Sequence, residues 1–326
     1  MSPLSVYKLQ ESNVKFDSVD QLLDAMSPEI RNLTKISYKD FLTDAKFSKK
    51  FITELVQSIA LVNYGQDVSI PAFVGCVSFA GAGEHLWAIK GGNKLLPKLL
   101  VKNSEANLLL NTTVNSVTYL GPNLFELSIT DTTGQTSTKR YNSVIIATPL
   151  TENQIQFVNF STDLNVNFPK RVYHRTVSTL VAGHLNKKYK GRDVLSDNES
   201  NFFTSIGRVY PVDDSTDEKI PVYKVFSRTP LSTEQLDLIF GDIQVVRVKD
   251  WYAYPHYDSV SKPLPPFILH PGVYHLNAIE WAASAIEMSL IGGKNAALLV
   301  YNQLGGKTSD VYTTKTFTIK PIIDEL

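Results

Sequence analysis

The sequence predicts an α/β fold with a second, β-rich region, and three observations predict it. Between Asp44 and Asn63, apolar residues fall at Phe47, Phe51, Leu55, Ile59 and Val62, a spacing of about four that builds one helical face. Val144-Ile145-Ile146-Ala147 is an unbroken apolar run bounded by polar residues, the mark of a strand buried on both faces of a parallel sheet. Near the end, a strand-like Val273–Leu276 runs into a long helical segment from about Glu280 to Asn302.

The elements follow in order. Ser18 is placed to cap a short helix through Met26, with Val19, Leu22 and Leu23 on its apolar side. Asn63-Tyr64-Gly65 supplies the stop for the helix over 44–63. Glycines then punctuate the chain at Gly81-Ala82-Gly83, read as a loop, and at Gly91-Gly92-Asn93, which precedes a helix over Lys94–Lys102. Strands are expected over Leu108–Leu120 and Phe125–Thr130, with Gly121-Pro122-Asn123 turning between them. Residues 150–270 read as mixed and β-rich, with a solvated acidic loop at 213–217. No internal repeat is evident, which argues against a solenoid.

Composition narrows the function classes. Thirty-two basic residues balance thirty-two acidic ones, unlike a chain built to grip nucleic-acid phosphates. No apolar run nears the roughly 20 residues of a transmembrane helix, and no secretory leader is visible at the start. Cys76 is the single cysteine, so neither an internal disulfide nor a cysteine metal site is expected; it reads as a small buried hydrophobe. No metal ligands are assigned. Sequons at Asn32, Asn111, Asn159 and Asn198 hint at a secretory route. The tail Ile323-Asp324-Glu325-Leu326 is close to an ER-retention signal but lacks its basic lead residue.

Three segments are candidates for chemistry. Gly91 and Gly92 open a helix, where backbone can approach a ligand closely, but a plain loop-to-helix turn is the favoured account of them. Ala147-Thr148-Pro149 ends the apolar strand at the edge where open α/β sheets bind ligands, and it also suits an ordinary core strand. Asn277-Ala278-Ile279-Glu280-Trp281-Ala282-Ala283 leads a strand into an alanine-rich helix. Its small side chains admit a flat ligand at a positive helix end, or simply make a good helix.

Taken in order and spacing, the runs Val62–Gln66, Leu86–Leu95, Ile145–Leu150, Trp251–Tyr257 and Tyr274–Ala297 resemble the prenylcysteine oxidase family across nearly the whole chain. The resemblance implies an FAD-binding Rossmann-like domain and a β-rich substrate domain. It divides the chain into 1–70 (helical part of the substrate domain), 71–150 (FAD-binding part), 151–270 (substrate domain) and 271–326 (the closing strand and helix of the FAD-binding part). It implies FAD as cofactor, with a farnesyl- or geranylgeranyl-cysteine thioether and molecular oxygen as substrates. Hydride leaves the allylic carbon beside sulfur for the flavin. Water adds to the thiocarbenium, and the adduct collapses to cysteine and a prenyl aldehyde, with hydrogen peroxide as co-product. Carried over, Gly91, Gly92, Thr148, Pro149, Asn277, Glu280, Ala282 and Ala283 would meet the cofactor. Trp251, Tyr254, His256 and Tyr257 would form the catalytic, substrate-side aromatic wall, whose π-faces suit an isoprenoid and a developing cation. A structural role for His256 stays open. Ala278 stands where the family has glycine.

The G-x-G-x-x-G fingerprint of such enzymes is not found, so the FAD-binding domain is expected to be incomplete, without its N-terminal βαβ unit. The competing readings are a truncated, non-catalytic binder of prenyl groups with little flavin, and an amine oxidase of the same fold. A lysosomal or secretory address, and glycosylation, are expected from the resemblance.

Overall fold

The computed structural model describes residues 4–82, 87–150, 154–160, 164, 172–189, 193–211, 220–258, 260, 263–307 and 309–310. The chain opens with short helices: α1 (Leu4–Glu11), α2 (Val19–Met26), α3 (Pro28–Leu33), α4 (Tyr38–Asp44), α5 (Gln57–Tyr64) and α6 (Ala72–Ala80). The side chains of Ser18, Ser27 and Ser37 each accept a backbone N–H at the start of α2, α3 and α4. Serine caps thus satisfy orphan donors that helices this short cannot leave open. As expected, α2 buries Val19, Leu22 and Leu23.

The helix expected over 44–63 is divided. Lys46 adopts a positive φ of 65° and ends α4, and helix resumes as a π-helical stretch, Phe51–Val56, that runs into α5. The wider π turn keeps a strict four-residue stripe on one face, where a pure α-helix would carry it round. Of the expected stripe Ile59 is buried, joined by Ile52, Val56, Ala60 and Tyr64, while Phe47 and Leu55 are exposed.

Four sheets follow. A four-stranded sheet has the order β4-β3-β2-β6, from β2 (Thr113–Gly121), β3 (Leu124–Thr130), β4 (Thr136–Tyr141) and β6 (Gln156–Val158). The β2–β3 hairpin turns at Gly121-Pro122-Asn123, as expected. The strand, however, begins at Thr113; Leu108, Leu109 and Leu110 precede it, exposed, and Asn111 breaks the backbone at φ 53°. A three-stranded sheet, β12-β13-β5, pairs β13 (Val273–His275) antiparallel with β12 (Ile268–His270) and parallel with β5 (Val144–Ile146). The parallel pairing of the apolar run is as expected, but β5 is an edge strand and Ile145 is 43% exposed, so only one face is buried.

The largest sheet is antiparallel, β11-β7-β10-β9-β8, from β7 (Tyr173–Leu185), β8 (Asp193–Leu195), β9 (Ser205–Val209), β10 (Val222–Ser227) and β11 (Phe240–Pro255). Helix α8 (Thr233–Ile239) precedes β11 with a Ser232/Gln235 capping box. The acidic loop at 213–217 and Gly83 lie outside the described residues. A last short pair joins β1 (Val14–Lys15) to β14 (Ser309–Asp310), in parallel.

The expected helix over 280–302 starts later. Leu276–Trp281 is a 3₁₀ turn, residues 282–285 run between, and α9 spans Ile286–Gln303. One core joins the N-terminal helices to β13, the 3₁₀ turn and α9 through Phe16, Leu22, Leu23, Ala278, Ile279 and Ile291. A second lies between the three- and four-stranded sheets, around Phe125 and Leu269. The third lies under the large sheet, around Ile206 and Val225. Helix α7 (Leu95–Asn103), close to its expected position, buries no residue. Cys76 on α6 is half-buried rather than fully buried, and burial raises its thiol pKa. Among the described residues, no helix is long and apolar enough to cross a membrane.

Candidate functional site

The site is built where β11 leaves the large sheet and β13 leaves the small one. Register places Tyr254 opposite His174 at the end of the β11–β7 pair, after a bulge that follows Tyr252. The rings then stack in sequence. His256 lies on His174 at 5.8 Å, nearly parallel, and His174 lies on Tyr254 at 5.6 Å. Tyr64 meets Tyr254 edge-on at 5.2 Å and Tyr257 at 5.5 Å. Such offset and edge contacts are favoured geometries that order a wall of π-faces.

Gly65 makes the stack possible. It caps α5 in the left-handed region at φ 64°, and a Cβ there would stand 2.4 Å from His174 Nε2. Only glycine supplies both the backbone conformation and the space.

Hydroxyls tie this wall to the segment between the 3₁₀ turn and α9. Tyr64 donates to the Ser284 carbonyl at 2.7 Å. Tyr257 donates to the Glu280 carbonyl at 2.9 Å and accepts from the Ser284 N–H at 2.8 Å. Tyr173 donates to Glu280 Oε2 at 3.1 Å, and its ring meets Trp281 edge-on at 5.4 Å. This clamp holds residues 282–285 out of helical conformation and delays α9. The Gln66 side chain anchors the wall's far end, accepting from Tyr257 N–H at 2.9 Å and donating to Tyr257 carbonyl at 3.0 Å.

Burial sets the charge state. His174 is held down to about 4, by desolvation first and then by His256 and Arg228. His275 is held down to about 4 by desolvation. Tyr254 is pushed up to about 12 by burial, and burial raises Tyr64, Tyr173 and Tyr257 further. Burial thus favours the neutral forms of His174 and of these tyrosines at neutral pH.

Beside it opens a cavity of about 410 Å³, within the roughly 300–1,000 Å³ of small-molecule sites. His256, Tyr257, Trp281 and Ala282 line it.

Of the expected substrate-side residues, the structure brings His256, Tyr254 and Tyr257 together. Trp251 is not with them: it sits on β11 opposite Thr176, half-buried, and makes none of these ring contacts. Of the expected cofactor-side residues, Asn277, Glu280, Ala282 and Ala283 gather at the clamp. Thr148 and Pro149 leave the carboxyl end of β5 in register with the end of β13, beside Leu276–Asn277. Gly91 and Gly92, at φ 87° and 96°, turn the chain into α7, and no contact joins them to the wall among the described residues.

His174, Tyr64 and Tyr173 went unassigned by sequence reasoning. Tyr64 stood in a flagged run but was read only as a helix stop, and nothing local marks His174 or Tyr173 in a β-rich stretch.

The comparisons decide the family. The prenylcysteine lyase family profile matches residues 3–313. The chain belongs to the prenylcysteine lyase family. It is 35% identical to prenylcysteine oxidase 1 of Bos taurus over 329 residues, covering 94% of this chain and 64% of that protein. It is 35% identical to farnesylcysteine lyase of Arabidopsis thaliana over 319 residues, covering 94% of this chain and 60% of that protein. The chain thus spans under two-thirds of the length of these relatives. Among solved structures, a putrescine oxidase redesigned in its cofactor binding matches with a TM-score of 0.56 at 10% identity, over 91% of this chain and 74% of that one. That likeness gives the fold: α/β with a second, β-rich region.

The residues at the clamp fit a flavin. Asn277 is buried and, among the described residues, its Oδ1 has no hydrogen-bond partner, an acceptor waiting for a donor. Ala282 and Ala283 are buried and small. Helix α9 starts from Ala285 with no side-chain cap, so its first N–H groups face outward unspent.

Proposed function

We propose that this chain carries the catalytic wall and part of the cofactor site of an FAD-dependent prenylcysteine oxidase. In this reaction S-prenyl-L-cysteine, oxygen and water yield cysteine, a prenyl aldehyde and hydrogen peroxide. The observation that carries the reading is the ring stack, His256–His174–Tyr254–Tyr64–Tyr257, ending on the Ser284 peptide ahead of α9. When bound, FAD supplies the hydride acceptor for the C–H bond beside sulfur.

The chain's own residues do the rest. The aromatic faces bind the isoprenoid and stabilise positive charge on the carbon next to sulfur, with burial keeping His174 and the tyrosines neutral at neutral pH. Tyr64 and Tyr257 fix the Ser284 peptide, and with it the α9 N-terminus, so donors there are pre-aimed at an anionic cofactor edge. Asn277 Oδ1 accepts from a cofactor donor. Ala282 and Ala283 leave room for a flat ring system. Ala278, where glycine was expected, is fully buried in the core and takes no part.

The test is to express the chain, record flavin absorbance after purification, and assay farnesal and peroxide from S-farnesyl-L-cysteine. Flavin-loaded protein that releases no farnesal would sink the assignment.

A second reading, a prenyl-binding chain with little flavin, is favoured by one observation. Gly91 and Thr148, expected cofactor neighbours, are exposed. Prenylcysteine binding without flavin absorbance would decide for it.

We also propose a secretory or lysosomal address with glycosylation, supported by the exposure of all four sequon asparagines, Asn32, Asn111, Asn159 and Asn198. Expression through a secretory host, with a mobility shift on glycosidase treatment, tests it.

A further inference from the structure

Resting on the prenylcysteine reading, we propose that Lys35 anchors the α-carboxylate of the substrate's cysteine, in a cavity whose charge suits a zwitterionic amino-acid headgroup. The 410 Å³ cavity beside the ring wall has two kinds of lining. Pro71, Val260, Pro263 and Leu264 give an apolar side continuous with the Tyr257 and Trp281 rings. Asp20, Arg31, Lys35 and Asp258 give two carboxylates and two cations. A site for a simple amine would be lined mainly by acids, and one for a simple acid mainly by bases. Two of each match a ligand that carries both signs.

The two cations are not equivalent. Arg31 is held by two carboxylates of α2: its Nε lies 3.0 Å from Asp20, and one terminal nitrogen lies 3.1 Å from Asp24. Its charge is spent on joining α3 to α2. Lys35 follows the end of α3, fixed there by its N–H to the Asn32 carbonyl at 2.9 Å. Among the described residues, no carboxylate lies within 4 Å of its ammonium. Of the two cations among the described lining residues, Arg31 and Lys35, Lys35 is the one with capacity for a ligand carboxylate, carried on a long, flexible stem. Asp20, already paired with Arg31, and Asp258 line the same cavity, and their negative potential suits the substrate's ammonium. The prenyl chain then lies toward Tyr257 and Trp281, and the headgroup stays at the mouth.

The experiment is calorimetric titration of the whole chain with S-farnesyl-L-cysteine and with S-farnesylcysteamine, identical but for the missing carboxylate. Wild type, Lys35→Met and Lys35→Arg are compared. The expected result is an affinity about tenfold higher for the carboxylate ligand in wild type, lost in Lys35→Met and kept in Lys35→Arg. Lys35 is exposed, so thermal melting of the Met variant should match wild type and exclude misfolding as the cause. Lys35→Met retaining the wild-type preference would overturn the proposal. Wild type binding both ligands equally would also overturn it while leaving the prenyl reading intact. Binding of neither ligand by folded wild type would remove the prenylcysteine reading itself.

Discussion

Strand β13 has two very different neighbourhoods. On the side of the 3₁₀ turn and α9, Ala278, Ile279 and Ala283 are completely enclosed, and buried amides and hydroxyls pair with backbone from distant segments. On the side of β5 the chain lies open. Ile145 on β5, Leu99 and Leu100 on α7, and Leu110 before β2 are exposed, with Trp87 81% accessible. Expected functional residues converge in the first neighbourhood, where the chain's own side chains supply every wall. In the second, Gly91 and Thr148 are exposed. Precision of placement follows density of partners.

The sharpest way to break the contrast is Asn295→Ala. Asn295 is fully buried, accepting from the Phe16 N–H at 2.8 Å and donating to the Phe16 carbonyl at 2.9 Å. Its removal orphans two buried backbone groups and should cost about 3 kcal/mol in urea unfolding. Next comes Gly65→Ala, expected at about 2 kcal/mol from backbone strain and the collision with His174, and visible as a lower thermal midpoint. Tyr257→Phe keeps the ring but strands the Ser284 N–H. A loss of about 1–2 kcal/mol is expected, with faster amide exchange at Ser284.

A pH titration sharpens the comparison further. His174 and His275 titrate near 4 in the fold, against 6.5 in the unfolded chain. The folded values are depressed, so unfolding takes up protons between them. Stability is full above 6.5, and is lost as pH falls toward 4. Unfolding at about pH 5 should take up ~2 protons from these two residues, and His174→Asn should remove one of them. Smallest of all is Leu110→Ser on the open side, expected within about 0.5 kcal/mol of wild type; a larger loss would mean that surface is packed in solution.

Local signals in the sequence were dependable where one element decides the outcome. Ser18 as a cap, the Gly121–Asn123 turn and the parallel strand Val144–Ile146 all stand in the structure. Of the expected site residues, Tyr254, His256 and Tyr257 lie in one short aromatic run and come together in the structure. What escaped sequence reasoning was set by distant partners. The start of α9 is delayed by two tyrosines, Tyr64 being 220 residues from Ser284. His174 enters the wall only because β7 pairs with β11 and Gly65 vacates the space. Trp251 was included because of its place in the aromatic run, but strand pairing took it to Thr176 instead.

The amide clamps bear on how the chain is made. Phe16 waits for an asparagine 279 residues later, and Gln66 for a backbone 191 residues later. During synthesis the first helices therefore emerge with Leu22, Leu23 and Phe16 lacking the surface that will cover them. They must persist as a loosely held, adhesive intermediate until α9 has left the ribosome. Closure of this core awaits α9, and chaperone dependence should track the delay in reaching it.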